Sequence, residues 1–142
     1  MRRALFAIFF FLASLYPAGA DVRIEASPGG EVTDFLALFA LLRQSGERVV
    51  IDGPCYSACT LVLTMIPRSR LCVTRRAVLG FHAPRVVDLQ DGQVYAAPQA
   101  TQAVTEAYPA PIRAWIMRHG GLTSRVIYLR GRELTAFLPL CR

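Results

Sequence analysis

Apolar segments that alternate between strand-like and helix-like spacing constrain the fold of this chain more than any other feature. Strands are expected where apolar residues alternate with polar ones or form a short unbroken run, and helices where they recur every three or four residues. The predicted strands are residues 22–25, 49–51, 70–74 and 77–81, and the helices between them are 32–43 and 57–66. This order predicts right-handed crossovers and a mostly parallel sheet, and therefore an α/β fold.

The second half of the chain has a less regular pattern. Residues 83–97 are predicted to be a loop because proline and glycine interrupt them. A helix is predicted at residues 99–108, broken by prolines and resuming to Arg118, and residues 123–138 are predicted to be two short helical pieces divided near Gly131. No internal repeat or second apolar core segment is found, so residues 21–142 are expected to form a single domain.

The first twenty residues have the pattern of a secretory signal peptide. Arg2 and Arg3 precede an apolar run, and Ala18-Gly19-Ala20 supplies the small residues that signal peptidases require. The run is shorter than the roughly 20 residues that span a bilayer. The sequence therefore predicts cleavage between Ala20 and Asp21, export to the periplasm or medium, and no stable membrane anchor afterwards.

The positive charge of the chain comes from arginine alone. The net charge is +6, from 16 basic residues among which there is no lysine, so a lysine base or Schiff base is excluded. The arginines are scattered apart from a loose group at residues 68–76. This distribution is typical of a solvated surface, and no nucleic-acid partner is expected.

All four cysteines follow the predicted cleavage site, and export permits disulfides. Cys55 and Cys59 lie one helical turn apart, so if both belong to a helix they are poor partners for each other. The expected bridge joins one of them to Cys72 or Cys141. The two histidines have no metal-ligand spacing to this pair, so neither a metal nor another cofactor is expected.

Three segments together have the composition that acyl-transfer chemistry requires. The turn at residues 27–30, Ser-Pro-Gly-Gly, frees backbone N–H groups to bind an anion. Ser57 lies where a predicted strand turns into a helix, and His82 ends another predicted strand. Histidine is the usual base for a serine nucleophile. Taken singly, the same features are a tight turn, a helix cap and a strand-end histidine.

In combination these segments resemble Clp-type serine peptidases of the ClpP/crotonase superfamily. Residues 24–30 are similar to the family's strand and glycine loop, Gly53–Ala58 to its nucleophile turn, and residues 70–82 to its strand ending in the catalytic histidine. The cysteines beside Ser57 most resemble those of periplasmic Clp-like proteins. The resemblance spans about residues 22–84, with a weaker similarity at 128–134, and implies a ClpP/crotonase-like fold of repeated strand-helix units.

The resemblance also implies a role for each residue. Ser57 would be the nucleophile and His82 the general base, and the backbone N–H groups of Gly30 and Ala58 would form the oxyanion hole. A peptide or protein substrate would bind as an extended strand beside the glycine loop.

The sequence departs from the family at the third catalytic position. The aspartate that orients the histidine in the family aligns with Val126, which cannot orient an imidazole. Asp88 and Asp91 follow His82 in the chain and are the candidate third members, and a backbone carbonyl is the alternative.

A second departure lies before the glycine loop. The family has a substantial region there, whereas Ser27 closely follows the predicted cleavage site, so an N-terminally truncated fold is expected. Missing strands would expose a sheet edge, which a homo-oligomer would cover.

Two functions therefore remain open at the level of the sequence. One is an exported serine hydrolase, a peptidase with a Ser-His dyad or an incomplete triad. The other is a catalytically inactive Clp-like binding or assembly module. An acyl-CoA enzyme of the crotonase type fits less well, since CoA is not expected outside the cytoplasm.

Overall fold

The computed structural model describes residues 20–142, so residues 1–19 of the predicted signal peptide lie outside the described residues. The elements, in chain order, are β1 (Val22–Ile24), α1 (Val32–Ser45), β2 (Val49–Ile51), β3 (Pro54–Tyr56), a 3₁₀ helix (Ser57–Leu61) that continues into α2 (Val62–Met65), a 3₁₀ turn (Arg68–Arg70), β4 (Leu71–Val73), β5 (Val78–Phe81), β6 (Arg85–Val87), β7 (Val94–Ala96), α3 (Pro98–Ala107), α4 (Ala110–Arg118), β8 (Ile127–Arg130) and α5 (Gly131–Phe137).

Two three-stranded sheets and one hairpin make up the β structure of residues 20–142. The first sheet has the order β1-β2-β4 and is wholly parallel. The second has the order β3-β5-β8, in which β3 and β5 are parallel and β8 is antiparallel. Strands β6 and β7 form a separate antiparallel hairpin. The predicted α/β class with parallel pairing is therefore confirmed, and β8 and the β6–β7 hairpin are the antiparallel exceptions.

In the core, the end of β5 packs against helix α4 and the junction between α3 and α4. Phe81, the last residue of β5, packs with ring centroids 5.4 Å from Tyr108 and 5.7 Å from Trp115. The indole N–H of Trp115 donates a hydrogen bond of 2.6 Å to Glu133 of α5. All these aromatic rings are buried. His82, the next residue along the chain, thus directly follows a buried aromatic cluster.

Two secondary-structure predictions are wrong. Residues 83–97 contain the β6–β7 hairpin, because Asp91-Gly92 allows a tight reversal between two valine-containing strands, with Gly92 at φ +69°. Residues 127–130 form strand β8, not a helix. Their burial alternates, with Ile127 and Leu129 inside and the residues between them exposed, which is the period of a strand.

The predicted disulfide pairing is also wrong, although the expectation of disulfides is confirmed. Cys55 pairs with Cys59, and Cys72 pairs with Cys141. Cys55 belongs to strand β3 and Cys59 to the 3₁₀ helix, and the positive φ of Ser57 reverses the chain between them, so the two cysteines are not on one helix. The reversal brings their Cα atoms to 5.3 Å, within the range that a disulfide spans.

A partly buried ion-pair network joins β1 to the turn between β4 and β5. Asp52 is only 8% exposed and accepts hydrogen bonds of 2.7 Å from both Arg23 and Arg76. The Arg76 hydrogen bond is the main reason why the pKa of Asp52 falls from 3.8 to about 2.

Among residues 20–142, no helix has both the length and the apolar composition needed to cross a bilayer.

Candidate active site

Ser57 occupies a backbone conformation that ordinary serines avoid. Its φ angle is +55°, and it is the one non-glycine residue with positive φ among residues 20–142. A left-handed L-residue costs about 1–2 kcal/mol, so surrounding contacts must hold it. The Cys55–Cys59 disulfide closes the chain around Ser57, and the Thr60 hydroxyl donates a 2.6 Å hydrogen bond to its carbonyl oxygen. A strained serine at a strand-to-helix turn is typical of serine hydrolase nucleophiles.

The glycine loop is held beside this turn by backbone pairing. The N–H of Ser27 donates to Pro54 at 2.8 Å, and the N–H of Tyr56 donates to Ser27 at 2.9 Å. These bonds form an isolated parallel bridge between Ser27 and Cys55. The loop therefore continues the edge of the second sheet and brings Gly29 and Gly30 to the nucleophile turn.

The two predicted oxyanion donors are backbone amides that make no hydrogen bond within residues 20–142. Gly30 comes three residues after Ser27 of the Ser27–Cys55 bridge, and its N–H has no backbone acceptor among these residues. The N–H of Ala58 lies in the first turn of the 3₁₀ helix, where no preceding carbonyl reaches it. Gly30 and Ala58 each line a cavity that also contains Ser57 and His82. Neither amide is therefore committed to a partner within these residues.

His82 directly follows β5 and has one ring nitrogen already engaged. Its Nδ1 lies 2.7 Å from the carbonyl oxygen of Ala83. Because a carbonyl oxygen only accepts, Nδ1 is the donor of this hydrogen bond, and in the neutral ring the lone pair is then on Nε2. The next backbone group, the N–H of Ala83, donates to the carbonyl of Thr123 at 2.8 Å. A backbone carbonyl thus sets the tautomer in which the imidazole is a base.

Ser57 and His82 line the same cleft of about 230 Å³, between the glycine loop and the β6–β7 hairpin. A smaller cavity of about 30 Å³ opens beside them. Its other walls are mainly apolar: Val32, Ala58, Leu61, Pro84, Val104 and Tyr108. The Ser57 hydroxyl makes no hydrogen bond within the described part of the chain. Catalytic hydrogen bonds are often long before substrate binds.

The candidate third residues are not brought to His82. Asp88 accepts a hydrogen bond from the backbone N–H of Gln90, and Asp91 accepts from the N–H of Gln93 and the hydroxyl of Tyr95. Both carboxylates therefore stabilise the turn of the hairpin. Val126 lies near the end of β5, because the antiparallel β5–β8 register pairs Phe81 with Ile127 and so brings the preceding residue, Val126, beside His82. Its side chain is also close to Gly80.

Sequence reasoning did not identify Thr60 or Tyr108 as parts of the site. Their hydroxyl oxygens lie 2.6 Å apart although 48 positions separate them in the chain. Thr60 is three residues after Ser57, a spacing at which a threonine hydroxyl can reach back to a carbonyl, so it left a weak local signal. Tyr108 left no such signal in the sequence.

Within residues 20–142, no group of three His, Cys, Asp or Glu residues is arranged to hold a metal ion.

Comparison with known proteins places the fold. No protein-family model and no curated protein matches the sequence. A ClpP1 mutant from Listeria monocytogenes is similar in structure with a TM-score of 0.53 and 14% identity, over 82% of this chain and 67% of that one. A peptidase from Plasmodium falciparum has a TM-score of 0.52 and 9% identity, over 86% of this chain and 74% of that one. A third structure, described as an enzyme, has a TM-score of 0.52 and 6% identity, over 87% of this chain and 74% of that one.

These similarities define a fold class. The chain has an α/β fold whose structural neighbours are ClpP-like peptidases. At such low identity the likeness shows the fold alone, and activity has to be argued from the residues of the site.

Proposed function

We propose that this chain is an exported ClpP-like serine hydrolase that cleaves peptides with a Ser57–His82 dyad. The observation that carries the proposal is the shared cleft: Ser57 has a left-handed backbone at a strand-to-helix turn, and the cleft also contains a histidine whose Nδ1 is already paired. The mature unit is the single domain of residues 21–142, released by cleavage of residues 1–20.

Each residue has a defined task in this reaction. His82 Nε2 accepts the Ser57 proton as Oγ attacks the scissile carbonyl carbon. The N–H groups of Gly30 and Ala58 donate to the oxyanion of the tetrahedral intermediate. When the intermediate collapses, His82 returns the proton to the leaving amine, and water then hydrolyses the acyl-serine by the same steps.

The carbonyl of Ala83 takes the place of an acidic third residue. It keeps the proton on Nδ1, which preserves the correct tautomer. It carries no full negative charge, so it stabilises the imidazolium less than a carboxylate does. We therefore expect a slow hydrolase, with a turnover orders of magnitude below that of a full triad.

Three observations support an exported peptidase in particular. Two of the structural neighbours are ClpP-like peptidases, one of them described as a peptidase from Plasmodium falciparum. The four cysteines form two disulfides, which suits an oxidising compartment. The cleft runs beside the glycine loop, where an extended peptide would lie.

A homo-oligomer would cover the exposed edge of β1.

The test is covalent labelling of the mature protein with a fluorophosphonate probe, which reacts with activated serines. Wild type is expected to label once, on Ser57, and Ser57→Ala is expected to abolish labelling. Ser45→Ala, which removes an exposed serine at the end of α1, is the matched control and keeps wild-type labelling. His82→Gln should slow labelling at least about 100-fold, the usual contribution of a general base. A folded wild-type protein that fails to label would overturn the proposal.

The inactive binding module is the second candidate. The observation in its favour is that no carboxylate hydrogen-bonds His82 within residues 20–142. Retention of peptides on the immobilised protein, with no labelling and no cleavage, would establish this function.

A further inference from the structure

Two buried hydroxyl groups connect the nucleophile turn to the junction of α3 and α4. Thr60 is 1% exposed and Tyr108 is 4% exposed. The Thr60 hydroxyl lies 2.6 Å from the carbonyl oxygen of Ser57 and also 2.6 Å from the hydroxyl of Tyr108. A continuous hydrogen-bonded chain therefore runs from Tyr108 through Thr60 to the backbone of Ser57.

The direction of this chain follows from the proton count. The Ser57 carbonyl can only accept, so Thr60 gives it the single hydroxyl proton that it has. Tyr108 must then be the donor to Thr60. Burial raises the pKa of Tyr108 to about 12, so this phenol keeps its proton well above neutral pH. Both hydrogen bonds therefore run in one direction, from Tyr108 to Thr60 and from Thr60 to the Ser57 carbonyl.

The carbonyl held by this chain shares a peptide unit with a proposed oxyanion donor. The C=O of Ser57 and the N–H of Ala58 belong to one planar amide, in which they point in opposite directions. Fixing the carbonyl therefore fixes the direction of the Ala58 N–H. Without that restraint, the amide beside the left-handed Ser57 could rotate toward ordinary backbone angles.

We propose that Thr60, supported by Tyr108, is a positioning residue that aims the Ala58 N–H at the oxyanion. The inference rests on the proposed hydrolase function and adds residues that the dyad and the glycine loop do not include. It predicts an effect on transition-state stabilisation and not on substrate binding, because the oxyanion exists only during reaction.

The chain itself supplies a matched control. Thr64 lies one turn further along, in α2, and donates the same kind of hydrogen bond, from its hydroxyl to the Leu61 carbonyl three residues earlier, at 2.8 Å. Thr64→Val removes an equivalent bond from the Leu61–Val62 amide, which carries neither the nucleophile nor an oxyanion donor. A loss seen in Thr60→Val and absent in Thr64→Val therefore reports on the Ser57–Ala58 amide and not on helix stability.

The experiment measures the second-order rate constant of fluorophosphonate labelling for mature Thr60→Val, Thr60→Ser and Thr64→Val. We expect Thr60→Val to label about 10- to 100-fold more slowly, because a misdirected oxyanion donor loses part of its usual contribution. Thr60→Ser, which keeps the hydroxyl, should stay within about threefold of wild type, and Thr64→Val should match wild type. With a peptide ester substrate, kcat should fall in Thr60→Val while KM stays constant.

A second readout does not depend on activity. The amide proton and nitrogen resonances of Ala58 should shift in Thr60→Val and remain in place in Thr64→Val. If Thr60→Val does not fold, Tyr108→Phe replaces it, with an expected slowing of about 3- to 10-fold. A folded Thr60→Val with wild-type labelling and an unchanged Ala58 resonance overturns the inference. A wild type that does not label refutes the hydrolase, while the Ala58 resonance still decides whether Thr60 holds the amide.

Discussion

Gly29 lies directly against Ser57, with no space between them for a side chain. A Cβ atom on Gly29 would lie 2.5 Å from the Cβ of Ser57 and 2.7 Å from the carbonyl oxygen of Tyr56. Both distances are far below van der Waals contact. Gly29 also has φ +90°, which a residue with a side chain rarely adopts. Glycine is therefore required here both by conformation and by the closeness of the nucleophile.

Gly29→Ala is predicted to displace Ser57 and abolish fluorophosphonate labelling. The matched control is Gly120→Ala, since Gly120 has φ +94° but nothing within 4 Å of its Cβ position. Both variants bear a similar backbone penalty of about 1–2 kcal/mol. We expect only Gly29→Ala to lose further stability in urea unfolding and to lose labelling. Equal stability and labelling in the two variants would contradict the close approach.

The two disulfides are predicted to differ in what their removal costs. Cys72–Cys141 spans 69 positions and Cys55–Cys59 spans 4. Loop-closure entropy then gives about 4 kcal/mol for the long loop and about 2 kcal/mol for the short one. Replacing Cys72 and Cys141 by alanine should lower the free energy of unfolding more than replacing Cys55 and Cys59.

The loss of fluorophosphonate labelling rate is expected to follow the opposite order and to be larger without the short bridge, because that bridge encloses Ser57. The Cys55→Ala/Cys59→Ala protein should label more slowly than the Cys72→Ala/Cys141→Ala protein. Thiol titration of the denatured, unreduced wild type should detect no free thiol. Four free thiols in protein isolated from an oxidising compartment would refute both bridges.

Asp52 is predicted to make the fold sensitive to acid. Its pKa in the folded chain is about 2, lowered from 3.8 mainly by the Arg76 hydrogen bond. A lowered pKa means that the ionised form is favoured by folding, so the stabilisation is complete above about pH 4 and is lost as the pH falls toward 2. Urea unfolding of Asp52→Asn should show a smaller loss over this interval than wild type. Asp34→Asn, at an exposed position on α1, should follow the wild-type profile.

The small cavity beside the dyad predicts a preference for small acyl residues. It is the smaller of the two cavities beside Ser57 and its walls are mainly apolar, so a short apolar side chain suits it better than an aromatic ring. Peptide thioesters with alanine at the cleaved position should have a kcat/KM at least about tenfold above that of their phenylalanine counterparts. Val104→Ala should enlarge the cavity and narrow this ratio. A faster reaction with phenylalanine in wild type would exclude the cavity as the acyl pocket.

Export is predicted from residues 1–20, most of which lie outside the described residues. Protein recovered from the periplasm or medium should begin at Asp21 on N-terminal sequencing. Replacing Ala18 and Ala20 by arginine should block processing, since the peptidase requires small residues there. A mature protein that still begins at Met1 would contradict the prediction.

Ser57 and His82 could be selected as candidate site residues because their signals are local. Ser57 and His82 each stand at the end of a short apolar element, and the Pro-Gly-Gly turn precedes a helix, so short windows of sequence contain the evidence. The four strands predicted in the first half of the chain are present for the same reason, since their apolar patterns need no distant partner to be recognised.

The features that escaped prediction depend on distant contacts or unusual backbone. The Cys55–Cys59 bridge requires the positive φ of Ser57, which the residue type does not favour. The Thr60–Tyr108 hydrogen bond depends on how the α3–α4 junction packs on β5. The prediction of a helix at strand β8 is wrong although buried and exposed residues alternate there. The strand is stabilised by antiparallel pairing with β5, which lies far away in the sequence.

The Cys72–Cys141 disulfide makes residues 72–141 a covalent ring. The ring contains His82 and the β6–β7 hairpin, where Leu89 is 96% exposed, whereas Ser57 lies on the chain outside it. Residues 85–96 are exposed apart from the half-buried Asp88, and the hairpin borders the cleft. A single proteolytic cut there opens the ring without releasing a fragment, so Ser57 and His82 stay in one molecule. Such a nicked protein would separate into two pieces only after reduction.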